Sequence, residues 1–100
     1  MDKYNVKISS TAQNDFMEIS ERFDALPPEE AAICYDSIIE TTRMLSSTPD
    51  ICPYARDSQL RLRGYRMLSA ENYIFFFVII GKTVEIRRIL YARGQYERLV

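Results

Sequence analysis

Arginine and tyrosine are the residues of this 100-residue chain most suited to act on a partner, because it contains no histidine. Without imidazole there is no histidine-based triad, no histidine general base and no histidine metal ligand. Cys34 and Cys52 lack CxxC spacing and a histidine neighbour, so neither a zinc site nor a disulfide framework is expected, and no cofactor is implied. What remains is cationic. Of the nine basic residues between positions 51 and 100, eight are arginine: Arg56, Arg61, Arg63, Arg66, Arg87, Arg88, Arg93 and Arg98, with Lys82 the ninth. The guanidinium fork binds planar oxyanions bidentately and stays protonated, so it can neutralise phosphate or carboxylate but cannot serve as a base. Tyr65, Tyr73, Tyr91 and Tyr96 are interleaved with these arginines. A phenol titrates near ~10 and needs a cationic neighbour to take a proton at neutral pH.

The net charge of −1 conceals a division. Residues 1–50 hold four basic and ten acidic residues, a balance of −6, whereas residues 51–100 hold nine basic and four acidic, a balance of +5. Such a molecule has one cationic surface suited to an anionic partner. Acidic helices packed against a basic sheet, neutralising one another internally, would leave the same count.

The elements that must position the arginines lie mostly between Leu60 and Val100. Tyr73 to Ile80 is an uncharged run of aromatic and β-branched residues ending at Gly81, which predicts a strand covered on both faces. Gly81-Lys82 is a turn, and Thr83 to Ala92 resumes strand composition, so the two form a hairpin. Leu60 and Leu62 alternate with Arg61 and Arg63, predicting a strand from Leu60 to Leu68 with a bulge or sharp entry at Gly64. Ala70-Glu71-Asn72 is the next turn. Within the hairpin, Phe75, Phe76 and Phe77 read as core, Tyr65 and Tyr73 as packing, and adjacent Arg87 and Arg88 as pointing to opposite faces, one of them towards a helix carboxylate.

Upstream, Tyr4, Val6 and Ile8 alternate as a half-buried strand. Ser10-Thr-Ala-Gln13 has capping-box spacing, and Ala12, Phe16, Ile19 and Phe23 form the apolar stripe of the helix it opens. Pro27-Pro28 breaks that helix, and a second starts near Pro28 with Glu29 and Glu30 at its positive end. Ala31, Tyr35, Ile38, Thr42 and Leu45 mark its inner face, and it ends before Thr48-Pro49. Asp50 to Gln59 is a loop. The order β-α-α-β-β-β predicts a single α+β domain over residues 1–100, a four-stranded antiparallel sheet with a helical hairpin on one face. The N-terminus has no apolar h-region, and the longest apolar run is far short of the ~20 residues a membrane span requires, so neither a signal peptide nor a membrane partner is expected.

This order of elements, together with Leu60-Arg61 followed by Gly64-Tyr65-Arg66, the run Asn72-Tyr73-Ile74-Phe75-Phe76-Phe77, and the stretch from Val84 to Arg93, resembles the RelE/ParE superfamily. These are the toxins of bacterial type II toxin–antitoxin modules. The resemblance spans nearly the whole chain and implies a small cytoplasmic growth inhibitor silenced by a cognate antitoxin that adds a helix or strand to it. Two mechanisms are implied. RelE-type members are metal-independent endoribonucleases that cut mRNA on the ribosome; ParE-type members bind DNA gyrase and trap its cleavage complex. For a nuclease the resemblance implies Arg93, in the place of the family's late arginine, as a phosphate contact; Arg61, Arg63 and Arg66 would join it, with Tyr91 or Tyr96 assisting proton transfer. As partner contacts it implies Arg61, Arg63, Arg66, Arg93 and Arg98.

The chain departs from the nuclease pattern at several positions. Ile74 follows Tyr73 where RelE nucleases carry an arginine, the preceding strand has no lysine pair, and Arg93-Gly94 stands where relatives carry two arginines. A sequence pI near 5.4 is low for entry into an RNA-rich site. The segment from Leu60 to Arg66 is more similar to the ParE branch. The gyrase-poison reading is therefore favoured, with the mRNA interferase as the alternative and a non-toxic member that retains antitoxin binding as the third.

Overall fold

A computed structural model describes residues 4–93 and 99–100. It contains strand β1 (Asn5–Ile8), helices α1 (Ser10–Asp24) and α2 (Pro28–Ser47), a 3-10 turn (Pro49–Ile51), a short helix α3 (Ser58–Leu62), and strands β2 (Arg66–Ala70), β3 (Tyr73–Ile80) and β4 (Thr83–Tyr91). The two long helices obey the local signals. Ser9, one residue before the expected cap, accepts from Ala12 N–H at 3.1 Å, and Gln13 donates to Ile8 O at 3.3 Å. Ala12, Ile19 and Phe23 are buried along the α1 stripe. Pro28 opens α2 with Glu29 and Glu30 in its first turn, and Ile38 and Leu45 are buried on its inner face. Tyr35 packs edge-on to Phe23 with ring centroids 5.1 Å apart, and its hydroxyl donates to Asp24 at 2.9 Å.

The sheet order is β1-β4-β3-β2. β2, β3 and β4 are antiparallel as expected, but β1 lies parallel to β4, so the sheet is mixed and not purely antiparallel. The physical reason lies in how α1 is fastened. β1 ends at Ile8 opposite Ile86, and the first turns of α1 then continue along the same edge of β4. Ser9 N–H donates to Ile86 O at 2.9 Å, Ser9 Oγ donates to Arg87 O at 3.1 Å, and an Asp15 carboxylate oxygen accepts from Ile89 N–H at 3.0 Å. Backbone groups that an edge strand would expose are satisfied by the helix, which requires β1 and β4 to run towards it together.

β3 is covered on both faces, and its covering layers differ. Tyr73, Phe75 and Phe77 pack with Ile19, Phe23 and Leu45 of the helices. Ile74, Phe76 and Val78 form a second core with Ala55, Leu60, Tyr65, Met67 and Val100. The helical hairpin does occupy one face, but the other is no bare arginine-bearing surface: it carries its own apolar core beneath the segment from Pro53 to Tyr65.

That segment corrects the expected strand from Leu60. Leu60 to Leu62 is the body of α3, capped by Asp57, whose carboxylate accepts from Gln59 and Leu60 N–H at 3.0 and 3.1 Å. Leu60 is 5% exposed and Leu62 is 87% exposed, the opposite of a shared strand face. Gly64, at φ +83°, turns the chain into β2. A bulge in β4 leaves Arg87 without a cross-strand partner, because Phe76 pairs with Arg88 and Phe77 with Ile86.

Candidate functional site

The arginines expected to act together are placed far apart. Arg66 opens β2 and is consumed by its neighbourhood. Its Nη1 donates to Asp50 O at 3.1 Å and Cys52 O at 2.6 Å, its Nη2 donates to Tyr54 Oη at 2.8 Å, and its guanidinium lies 4.0 Å from the centre of the Tyr54 ring. It fastens the loop from Asp50 to Tyr54 onto the sheet, with Ala55 N–H bonded to Tyr65 O at 2.9 Å and Met67 N–H to Pro53 O at 3.0 Å. Arg61 and Arg63 stand on and just beyond α3, both exposed. Arg63 lies 5.6 Å from the Tyr65 ring centre, and neither residue has an ion-pair partner among the described residues.

Arg93 stands at the opposite corner. Tyr91 ends β4 opposite Tyr73, whereas Arg66 lies opposite Phe77 on the other side of β3. Four residues along a strand and two strand spacings put the Arg66 and Tyr91 backbones on the order of 17 Å apart, and Arg93 lies further along the chain. Arg93 sits 5.3 Å from the Tyr91 ring centre, and Arg22 of α1 lies 5.8 Å from the same ring. Tyr91 is held by an aromatic chain: its ring is 5.5 Å from Tyr73, which is 6.0 Å from Phe23. Recesses of about 200 and 240 Å³ meet at Arg22, Tyr73 and Tyr91. Their lining is of mixed charge, with Arg22 and Arg88 beside Asp15, Glu18 and Glu71. Tyr96 and Arg98 lie outside the described residues.

Two further arginines are tied to acids. Arg88 makes two bonds to the Asp15 carboxylate at 2.8 and 3.0 Å and also donates to Leu99 O. Asp15 holds its guanidinium protonated above the ordinary range, against the opposing effect of burial. This is the pairing with a helix carboxylate expected of one member of the pair. Arg87, in the bulge, donates to Tyr65 Oη at 3.3 Å and pairs with Glu85; the Tyr65 bond is the main cause of its raised pKa, with Glu85 adding to it. Among the described ion pairs only Arg88–Asp15 joins the acidic and basic halves, so most of the basic charge is not cancelled by the helices.

Neither cysteine is poised as a nucleophile. Burial raises the Cys34 thiol, with Glu71 and Glu30 adding to the effect, and burial raises Cys52 against the lowering influence of Arg66. Among the described residues no group of three or more His, Cys, Asp or Glu could hold a metal ion, and no helix is long and apolar enough to cross a membrane.

A wider depression than these lies elsewhere among the described residues. A groove of about 710 Å³ runs between α1, α2 and β1, lined by Tyr4, Val6, Phe16, Ile38, Ile39 and Arg43. It shares Val6, Phe16 and Ile38 with a smaller apolar recess of about 210 Å³ that reaches down to Phe75, Ile86 and Ile89.

A family model described as the ParE toxin of the type II toxin–antitoxin system parDE matches residues 6–96. The chain belongs to the ParE toxin family. Solved structures share the fold of this ParE-family chain. A chain of the chromosomal ParDE system from P. aeruginosa superposes with a TM-score of 0.71 at 21% identity, covering 91% of this chain and 98% of that one. A chain of the RelBE2 toxin–antitoxin complex from Mycobacterium tuberculosis gives 0.58 at 24% identity, covering 89% and 98%. A chain of the E. coli DinJ-YafQ toxin–antitoxin complex gives 0.58 at 12% identity, covering 89% and 92%. No curated protein sequence is a significant match.

Two features of this ParE-family site escaped the sequence. Arg22 lies off the apolar stripe of α1, and its place beside Tyr91 depends on how α1 crosses β4. The groove needs three elements with unrelated sequences. A partial signal existed for Leu62: Asp57, three residues before Leu60, is a favoured helix-capping residue whose helix start competes with the alternation.

Proposed function

We propose that this ParE-family toxin acts by binding DNA gyrase and trapping its cleavage complex, and that a cognate antitoxin silences it. The observation that carries this reading is the dispersal of the cations. Metal-free cleavage of RNA needs several charged groups converging on one phosphate and its neighbouring 2′-hydroxyl. Here Arg66 spends three N–H groups on the Asp50–Tyr54 loop, Arg61 and Arg63 project from α3, and Arg93 stands beside Tyr91 at the far end of β4. Exposed, unneutralised arginines spread over a surface suit recognition of another macromolecule better than catalysis.

For the antitoxin, the groove between α1, α2 and β1 offers an apolar floor of Val6, Phe16 and Ile38, with Arg43 the charged residue of its lining. The apolar face of an amphipathic helix or strand fits that description.

The test has two arms. Purified toxin is added to gyrase and relaxed plasmid, and mRNA from induced cells is mapped by primer extension. The expected result is loss of supercoiling with accumulation of cleaved DNA, and no new mRNA ends. New cleavage within codons together with unaffected supercoiling would overturn the reading in favour of an mRNA interferase.

A further inference from the structure

We propose that the turn bearing Arg61, Leu62 and Arg63 is the part of the toxin that grips its target, and that the target offers there an apolar pocket rimmed by carboxylates on a protein surface. The proposal rests on the toxin reading but not on the identity of the target.

Three observations converge. First, Leu62 is the most exposed large apolar side chain described, at 87%, and it stands between two arginines that have no ion-pair partner among the described residues. An isolated exposed leucine is ordinary; one flanked on both sides by exposed guanidinium groups has the composition of an anchor with its rim. Second, the turn is rigid. Asp57 caps α3, Leu60 and Ala55 are buried beneath it, Tyr65 N–H donates to Leu60 O at 3.0 Å, Gly64 N–H donates to Arg61 O at 3.0 Å, and Arg66 laces the preceding loop to the sheet. Holding Leu62 outward in one conformation before any partner arrives lowers the ordering cost of binding. Third, the charge is one-sided. Between positions 56 and 66 four arginines face one aspartate, and that aspartate is occupied as the α3 cap. An acidic partner surface is the complement.

A protein, not a nucleic acid, is the fitting occupant. Phosphate contacts would use the arginines but leave Leu62 in water. The chain as a whole carries a charge of −1 with ten acids in its first half, which a polyanion would repel. The turn also covers the sheet face opposite the helices, so a partner held here leaves the groove between α1, α2 and β1 accessible.

The experiment expresses the full chain without antitoxin from an inducible promoter and measures growth arrest for wild type, Leu62→Ser, the double variant Arg61→Glu/Arg63→Glu, and the control Ile33→Ser. Ile33 is a 63% exposed residue of α2 outside the proposed contact. Urea midpoints confirm that each variant is folded. Wild type and Ile33→Ser are expected to arrest growth, while Leu62→Ser and the charge-reversed double variant should need at least tenfold more protein to do so. Equal arrest by all four, or no arrest by wild type, overturns the proposal. So does a wild-type protein that retards duplex DNA or single-stranded RNA oligonucleotides while the double variant does not, since the surface would then read nucleic acid. Binding to purified gyrase is measured separately. Wild type that arrests growth without binding gyrase ends the gyrase reading and leaves the test of the turn intact.

Discussion

Replacing Asp15 tests whether the junction of α1 with the edge of β4 holds the two layers together. Its carboxylate receives two bonds from Arg88 and one from Ile89 N–H, with the Asp15 and Arg88 side chains 13% and 23% exposed. A fully exposed pair would contribute ~0–1 kcal/mol and breaking a fully buried one would cost ~3–5 kcal/mol, so this partly buried pair falls between. Asp15→Ala also strips the acceptor from Ile89 N–H, a loss of about 1 kcal/mol or more where water cannot enter. The expected total is about 2–4 kcal/mol. Asp15→Asn keeps an acceptor for that N–H but gives up the charge, and should cost about 1–2 kcal/mol. Urea unfolding followed by circular dichroism measures both. A double-mutant cycle with Arg88→Met, which keeps the aliphatic stem, should return a coupling of about 1–3 kcal/mol. A coupling below ~0.5 kcal/mol, or an Asn variant as damaging as Ala, would refute the argument that the carboxylate's charge and its bond to Ile89 act together.

Other substitutions test the remaining structural claims. Leu60→Ala should destabilise by about 2–3 kcal/mol in urea while Leu62→Ala stays within ~0.5 kcal/mol; equal effects would restore the strand that α3 replaces. Glu71 has φ 56°, a left-handed conformation in the two-residue turn between β2 and β3, so Glu71→Gly should raise stability by about 0.5–1 kcal/mol, and a loss would show that the side chain has an unrecognised role. Arg66→Lys should cost about 2 kcal/mol, since an ammonium cannot reproduce three divergent bonds and a ring stack, yet leave growth inhibition by folded protein unchanged. Lost inhibition at full stability would return Arg66 to the working surface.

Much of this architecture was legible beforehand. The uncharged run from Tyr73 to Ile80 reads as a strand buried on both sides because few other elements tolerate so dense an apolar stretch of that length. The stripes of α1 and α2, the proline break between them and the turns at Glu71-Asn72 and Gly81-Lys82 follow from spacing and backbone preference alone. The resemblance to RelE/ParE toxins rested on the same ordered features, and the family match confirms it. Misreading Leu60 to Arg63 had a definite cause. Alternating leucine and arginine over four residues fits a strand and a single helical turn equally well, and the deciding contact, Leu60 against Tyr65 and Phe76, is tertiary.

Local sequence therefore determined which segments form helices and strands, which faces are apolar, and that cations dominate the second half of the chain. Tertiary structure decided what those cations can do. It turned Arg66 inward onto backbone carbonyls, tied Arg88 to a helix 73 residues away in sequence, brought Arg22 to Tyr91, and left Arg61 and Arg63 exposed beside an exposed leucine, without an ion-pair partner among the described residues. The reason is physical: propensity and periodicity act over a few residues, whereas a guanidinium's availability depends on which distant carbonyls and carboxylates the packed layers bring within about 3 Å of it.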